Sequence, residues 1–279
     1  MTLTFSSSTS SLAIAHSLKA TNDALAISMK RLATGFKINS AADGAANMAI
    51  SSTMDSQIRG FDVASANAQQ GLSMLNTADG ALQNVMGHLQ NMRDIAIGAG
   101  NTSNTAAAFA NYQAQLVAEI ASVTSITTNT KYDTNVLLDG TIAAGTGMTI
   151  QIGPNSADTL DIKAAFTDNK PATLTIAQNT IASTANAATL LGQVDAAITA
   201  VNANLATIGG YQNRLSDQVS YLDIAKTNYM AAQSSIRDTD VAQETANLTR
   251  LQILQQAGVY ALAQANTSPQ IALSLLPPR

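Results

Sequence analysis

The chain has 279 residues and a formal net charge of −4, with 11% charged side chains, 4% aromatic ones and no Trp. Its 46% hydrophobic content excludes disorder throughout, and the shortage of large rings favours long helical layers meeting through small residues over a round core. The lack of cysteine excludes disulfides, thiolate-bound zinc and a thiol nucleophile, and mild acidity with no basic cluster argues against a nucleic-acid partner.

At the N-terminus a hydroxyl run, Ser6 to Ser11, occupies the place of a positive n-region, and the first basic residue is Lys19. A cleaved secretory signal is not expected there. No apolar run approaches the roughly 18 residues that cross a bilayer, so membrane insertion is not expected either.

Leu18, Leu25 and Leu32 then repeat every seven residues. Leu75, Leu82 and Leu89 hold one heptad position of a second stretch, and Ala78, Val85 and Met92 hold another. Apolar residues spaced alternately three and four apart keep one stripe facing a partner helix. The pattern predicts a helix from about Ala45 to Gly98, roughly 80 Å long at 1.5 Å per residue. A shorter helix from Thr105 to Thr128 carries Leu116, Ile120 and Val123.

Between residues 137 and 180 the pattern changes to short alternating runs. Met148 to Ile152 and Thr159 to Ile162 flank the turn Gly153-Pro154-Asn155, and Leu174 to Ile176 is a third candidate strand. Beyond this β insert the heptads return. Val194, Val201, Ile208, Leu215, Leu222 and Tyr229 form an unbroken series, and Leu191, Ile198, Leu205 and Val219 a series interrupted by Gln212. Gly209-Gly210 inside this stripe points to a bend or a close backbone approach, since each Gly costs a helix about 1 kcal/mol. A last helix from Val241 to Gln264 carries Leu248, Leu251, Leu254 and Leu262 before Pro277 and Pro278 end any helix.

The fold class expected is mainly α: a long antiparallel helical coiled-coil or bundle rod with a small β-hairpin insert. Residues 1–44 should pair with 236–279 as a terminal coiled coil, leaving 45–235, with the insert at 137–180, as a helical rod domain. The self-assembly core is assigned to Leu18, Leu25, Leu32, Leu75, Leu82, Leu89, Leu248, Leu251, Leu254 and Leu262.

Catalysis has little to work with. His16 and His88 both fall on predicted helices, outside any ligand or base spacing, and no HExxH occurs. Asp158, Asp161 and Asp168 in the insert lack the closely ordered oxygens of a calcium loop. No catalytic, cofactor or metal site is assigned.

Two strings carry more information than the pattern. Arg31-Leu-Ala-Thr-Gly-Phe-Lys-Ile-Asn-Ser-Ala-Ala-Asp-Gly-Ala-Ala46 resembles the N-terminal signature of bacterial flagellins. Thr249-Arg-Leu-Gln-Ile-Leu-Gln-Gln-Ala-Gly258, continuing through Pro269-Gln270 to Leu273-Ser-Leu-Leu276, resembles their C-terminal signature. The resemblance covers roughly residues 10 to 140 and 185 to 276. Gly44 and Asn47 depart from the usual Asp and Gly, and the short middle leaves no room for large outer variable domains.

The resemblance implies a structural subunit, not an enzyme, that polymerises with copies of itself into the extracellular flagellar filament for swimming motility. It also implies unfolded export by the flagellar type III system. The implied partners are an export chaperone, the filament cap protein and hook–filament junction proteins. Terminal helices that order only on assembly agree with apolar stripes too exposed to be stable alone. Gln252, Gln255, Gln256, Gln264 and Asn266 are then candidates for a polar, uncharged tube lining. In this family the stretch holding Leu89, Gln90, Asn91, Arg93, Asp94 and Ile95 meets neighbouring subunits and, in some members, the host's Toll-like flagellin receptor. Asn91 and Gln115 replace a usual Arg and a usual acidic residue. Losing two charge-assisted contacts of about 1.5–3 kcal/mol each leads to an expectation of weak or no receptor activation. Two other readings stand beside this one: a hook–filament junction protein, and an enzyme or ligand-binding module carried on a helical rod.

Overall fold

The computed structural model describes residues 7–145, 148–177 and 179–274. These residues form a mainly α fold of long packed helices with two small β-hairpins. In chain order they are α1 (Ser7–Thr34), α2 (Ala45–Ala99), α3 (Ala106–Asn129), β1 (Lys131–Tyr132), β2 (Asn135–Val136), the single turn α4 (Thr141–Ala144), β3 (Thr149–Gln151), β4 (Thr159–Asp161), α5 (Thr184–Arg237) and α6 (Val241–Ser274). Two compact units result. One holds the chain up to Ser56 together with the chain from Tyr229 onward, and the other is Gln57–Asn228.

Within Gln57–Asn228, α2 and α5 run antiparallel in a fixed register. Lys226 Nζ meets Asp62 Oδ1 at 2.5 Å, Gln212 Nε2 donates to Asn76 Oδ1 at 2.9 Å, and Arg93 Nε donates to Asp195 Oδ1 at 2.8 Å. Positions rise on α2 by the same steps as they fall on α5. Between these polar edges the apolar series interlock. Leu75, Ala78, Leu82, Val85, Leu89 and Met92 are fully enclosed, as are Val194, Val201, Ile208 and Leu215. The interrupted series Leu191, Ile198, Leu205 and Val219 packs half-buried against that core. Helix α3 starts on Thr105, whose hydroxyl caps Ala108 N. It folds back on α2, adding Leu116 and Val123 to the core and placing Glu119 Oε2 at 2.6 Å from His88 Nδ1.

The insert is anchored rather than loose. Strands β3 and β4 pair antiparallel, Ile150 opposite Leu160. Asn67 Nδ2 holds Gln151 O from α2, while Gln218 Nε2 holds Ile152 O from α5. The hairpin can come this close because α2 carries Gly60 and Gly71 beneath it: an added Cβ at Gly60 would sit 2.6 Å from Pro154 Cβ, and one at Gly71 would collide with Ile150 Cδ1. Phe166, Ile162 and Ile176 close the base of the insert.

Two expectations need correcting. Leu174 to Ile176 is not a strand. Pro171 and Lys170 carbonyls accept from Ile176 and Leu174 nitrogens, and Thr175 takes a left-handed φ of 59°, so a tight turn produces the alternating burial. Gly209-Gly210 does not interrupt α5 and makes no close backbone approach: the helix runs from Thr184 to Arg237, and a Cβ at either position would meet nothing within 4 Å.

In the terminal unit, Gly35 at φ 75° ends α1, its amide reaching Arg31 O at 2.8 Å. A short antiparallel link follows, with Lys37 N on Arg237 O, Thr239 N on Gly35 O, and the Arg237 guanidinium 4.1 Å from the Phe36 ring centroid. Asp240 caps α6 by accepting from Ala242 N and Gln243 N. Among the described residues no helix is long and apolar enough to cross a membrane.

Candidate assembly surfaces

The two units differ in how they use apolar side chains. The core of Gln57–Asn228 is made of enclosed Leu, Val, Ile, Ala and Met. In the terminal unit the buried described side chains are Ser28, Ile38, Ser51 and Glu244, only one of them apolar. Leu18, Leu25, Leu32, Leu248, Leu251 and Leu262 are half-buried there, and Leu254 remains 49% exposed. Leu75, Leu82 and Leu89 are completely enclosed within one chain.

Helices α1 and α6 pair antiparallel. Leu18 packs at Gly258, where a Cβ would approach Leu18 Cδ1 to 3.2 Å. Gln255 Nε2 donates to Asn22 Oδ1 at 2.7 Å, and Arg31 Nη1 lies 3.8 Å from Glu244 Oε2. The covered edge of α1 is Ile14, Leu18, Thr21, Leu25, Ser28 and Leu32; that of α6 is Glu244, Leu248, Leu251, Gln255, Gly258 and Leu262. Both alternate four and three residues, as a coiled-coil seam requires. Leucine heptads mark half of this seam in the sequence. Apart from Ile14, its other half is hydroxyl, carboxylate, amide and glycine, which an apolar search passes over. A narrow cavity of about 300 Å³ opens beside it, lined by Ile14, Leu18, Thr21, Leu254, Gly258 and Ala261 among others.

Outside the seam α6 presents Ile253 at 61%, Val259 at 53% and Tyr260 at 77% exposure, and α1 presents Leu12, Ile27 and Met29. Ile253 and Tyr260 are seven residues apart and share one face. Each aliphatic side chain of this size gains about 1.5–3 kcal/mol when fully covered, so this face has much to gain from a partner. Of the amides read as a polar lining, Gln252, Gln256, Gln264 and Asn266 are exposed, whereas Gln255 lies in the seam.

On α2 and α3 the second candidate surface is partly closed. Leu89 is wholly enclosed and Ile95 packs on the core, so neither side chain forms an open surface. Gln90, Asn91, Asp94 and Gln115 are exposed, while Arg93 is half-buried and engaged with Asp195. Asn91 Nδ2 also reaches Glu119 Oε1 at 3.3 Å.

The insert carboxylates are tied to their own turns. Asp158 accepts from Asn155, Asp161 from Lys163 N, and Asp168 from Lys170 N and Thr173 Oγ1. The Lys163 amide and side chain hold the Asp161 carboxyl below its ordinary value. Among the described residues no group of three or more His, Asp or Glu side chains is placed to share a metal ion.

A family model described as the bacterial flagellin N-terminal helical region matches residues 5–143, and one described as the bacterial flagellin C-terminal helical region matches residues 191–276. Flagellin of Halalkalibacterium halodurans is 38% identical over 251 residues, covering 89% of this chain and 90% of that protein. Flagellin of Bacillus subtilis is 35% identical, covering 93% and 95%. The crystal structure of Bacillus cereus flagellin superposes with a TM-score of 0.51 at 29% identity, over 56% of this chain and 88% of that one. A flagellar hook-associated protein of Vibrio parahaemolyticus reaches a TM-score of 0.56 over 70% of this chain and 100% of its own, but at 15% identity it speaks for the fold alone.

Proposed function

This chain belongs to the bacterial flagellin family, the structural subunits of the extracellular flagellar filament that serves swimming, and we propose that it joins its own copies through the outer faces of α1 and α6. One observation carries this reading. The helices of Gln57–Asn228 have an enclosed apolar core of their own, although Val63, Ile97, Val117, Tyr221 and Ile224 stay open, whereas α1 and α6 bury Ser28 and Glu244 and leave Leu12, Ile27, Ile253, Leu254 and Tyr260 open. Copies of the chain supply the missing cover.

The reading extends to the route outward. A chain without disulfides, with few rings and with its terminal helices held only by half-buried contacts is suited to passage unfolded through the type III system. A chaperone would cover the apolar face of α6 before export, and the cap and hook–filament junction proteins would meet the same helices at the filament's two ends. Catalysis has no part in this reading: His16 is exposed on α1, and His88 is occupied by Glu119.

The double substitution Ile253→Ser with Tyr260→Ser tests the assembly face. Both side chains are largely solvated in the single chain, so its unfolding free energy from urea titration should hold within about 0.5 kcal/mol. The critical concentration for seeded polymerisation should rise at least tenfold, equivalent to about 1.4 kcal/mol. Polymerisation at the unsubstituted concentration would reject the face.

The surface of Gln90, Asn91, Asp94 and Gln115 is the remaining exposed part of the family's neighbour- and receptor-contacting stretch. It offers amides where an Arg and an acid are usual, and Arg93 is already paired. Activation of a Toll-like flagellin receptor by soluble subunit should therefore be weak. A reporter-cell response at sub-nanomolar dose would overturn this.

A further inference from the structure

We propose that the polar residues of the α1–α6 seam, above all Arg31 with Glu244, are positioning residues that fix the register of the terminal helix pair. Leucines repeating every seven residues specify that two helices meet, but not which heptad meets which. A slide by one heptad returns Leu18, Leu25 and Leu32 to holes of the same kind. Polar groups inside such a seam do not tolerate the slide, because their partners do not repeat.

This seam is built to be sensitive in that way. Glu244 is among the most buried residues of the terminal unit, and its one ion-pair partner among the described residues is Arg31. Gln255 reaches Asn22, and Gly258, the one glycine of α6, leaves space for Leu18. These three contacts span Leu18 to Arg31 on α1 and agree on one alignment. A slip of one heptad that puts Leu251 beside Arg31 carries Glu244 past the end of α1 at Thr34, and the opposite slip sets the Glu244 carboxylate against Ala24 and Leu25, a costly burial without its partner. The backbone link at Phe36 and Asp238 closes the end of the pair next to Arg31 and Glu244, and Leu18 meets Gly258 midway along both helices.

The inference goes beyond the assembly reading, since it concerns pairing within one chain. It can fail while filaments still form. The chain has no cysteine, so Ala15→Cys with Ala263→Cys, both exposed, admits two spin labels without background. Labelled chains are diluted into unlabelled ones, polymerised, and their label-to-label distance is read by double electron–electron resonance. The parent should give one narrow distance. The triple substitution Arg31→Leu, Glu244→Leu and Gln255→Leu keeps the seam apolar and should add a second, longer distance, because a slide of seven residues at 1.5 Å each offsets the two labels by about 10 Å along the helix axis. The swap Arg31→Glu with Glu244→Arg should return the single distance. An unshifted single distance in a triple variant that polymerises overturns the proposal. If the triple variant does not polymerise, the swap decides: filaments with the parent distance support the register role, and their absence or a displaced distance overturns it.

Discussion

Gly60 and Gly209 both sit inside long helices, where Gly is about 1 kcal/mol worse than Ala, yet their surroundings assign them opposite roles. Below the insert, a methyl group at Gly60 would press on Pro154 Cβ at 2.6 Å and Pro154 Cα at 3.2 Å, a rigid ring and its backbone. Overpacking of that kind costs about 1–3 kcal/mol, more than the helix gains. At Gly209 nothing lies within 4 Å. Gly60→Ala should therefore lower the unfolding free energy of the soluble subunit, read from urea titration, and Gly209→Ala should raise it by up to about 1 kcal/mol. If Gly209→Ala stabilises the subunit but blocks polymerisation, the glycine serves a neighbour rather than the fold. Neither role was legible in the sequence. Glycine identity marks a position as exceptional without saying whether the reason lies in its own chain.

Helices with long, regular heptads could be read from the residues to within a residue or two at α2 and α3, because periodicity accumulates over many turns. Short elements could not. β1 and β2 are two residues each and carry no period, and Leu174 with Ile176 alternates because a turn aims both inward. The α1–α6 seam was half visible for a related reason. Thr21, Ser28, Glu244 and Gln255 occupy seam positions with polar side chains, so Leu254 stood out instead, although it only lines the cavity beside the seam and stays 49% exposed. Connections between helices were more chemical. Before α2, the Asp43 carboxylate accepts from Ser40 Oγ at 2.9 Å, Ser40 N at 2.8 Å and Asn39 N at 3.1 Å. The Ser40 side chain, then the two amides, holds this carboxyl below its usual 3.8. A lowered folded value means that the connection gains from ionised Asp43 at every pH above about 3.8 and loses that gain as pH falls through the lowered value. A carboxyl-carbon NMR titration of the soluble subunit should place Asp43 below 3.8, and Ser40→Ala should move it back up. A titration at the ordinary value in both proteins would remove the connection's acid sensitivity.

At the scale of the whole chain, apolar burial is divided unequally, and stability must divide with it. Gln57–Asn228 encloses nearly all the fully buried hydrophobics, while the terminal unit encloses Ile38 and three polar residues. Local opening costs little free energy where few apolar contacts are lost. Two-helix contacts of half-buried leucines therefore protect amides poorly until copies cover the outer faces. Amide hydrogen exchange on soluble subunit should show α1 and α6 exchanging within seconds to minutes, with protection concentrated in Gln57–Asn228. In filaments the same α1 and α6 amides should slow by about two orders of magnitude, since covering Ile253, Leu254 and Val259, each about half exposed, at about 1.5–3 kcal/mol for a fully exposed side chain supplies roughly the 2.7 kcal/mol that a hundredfold change requires. The argument turns on the difference between the two states. Protection of α1 and α6 that is already complete in the soluble subunit would mean that their seam suffices alone. Ile253, Leu254 and Tyr260 would then have no energetic claim on a second copy.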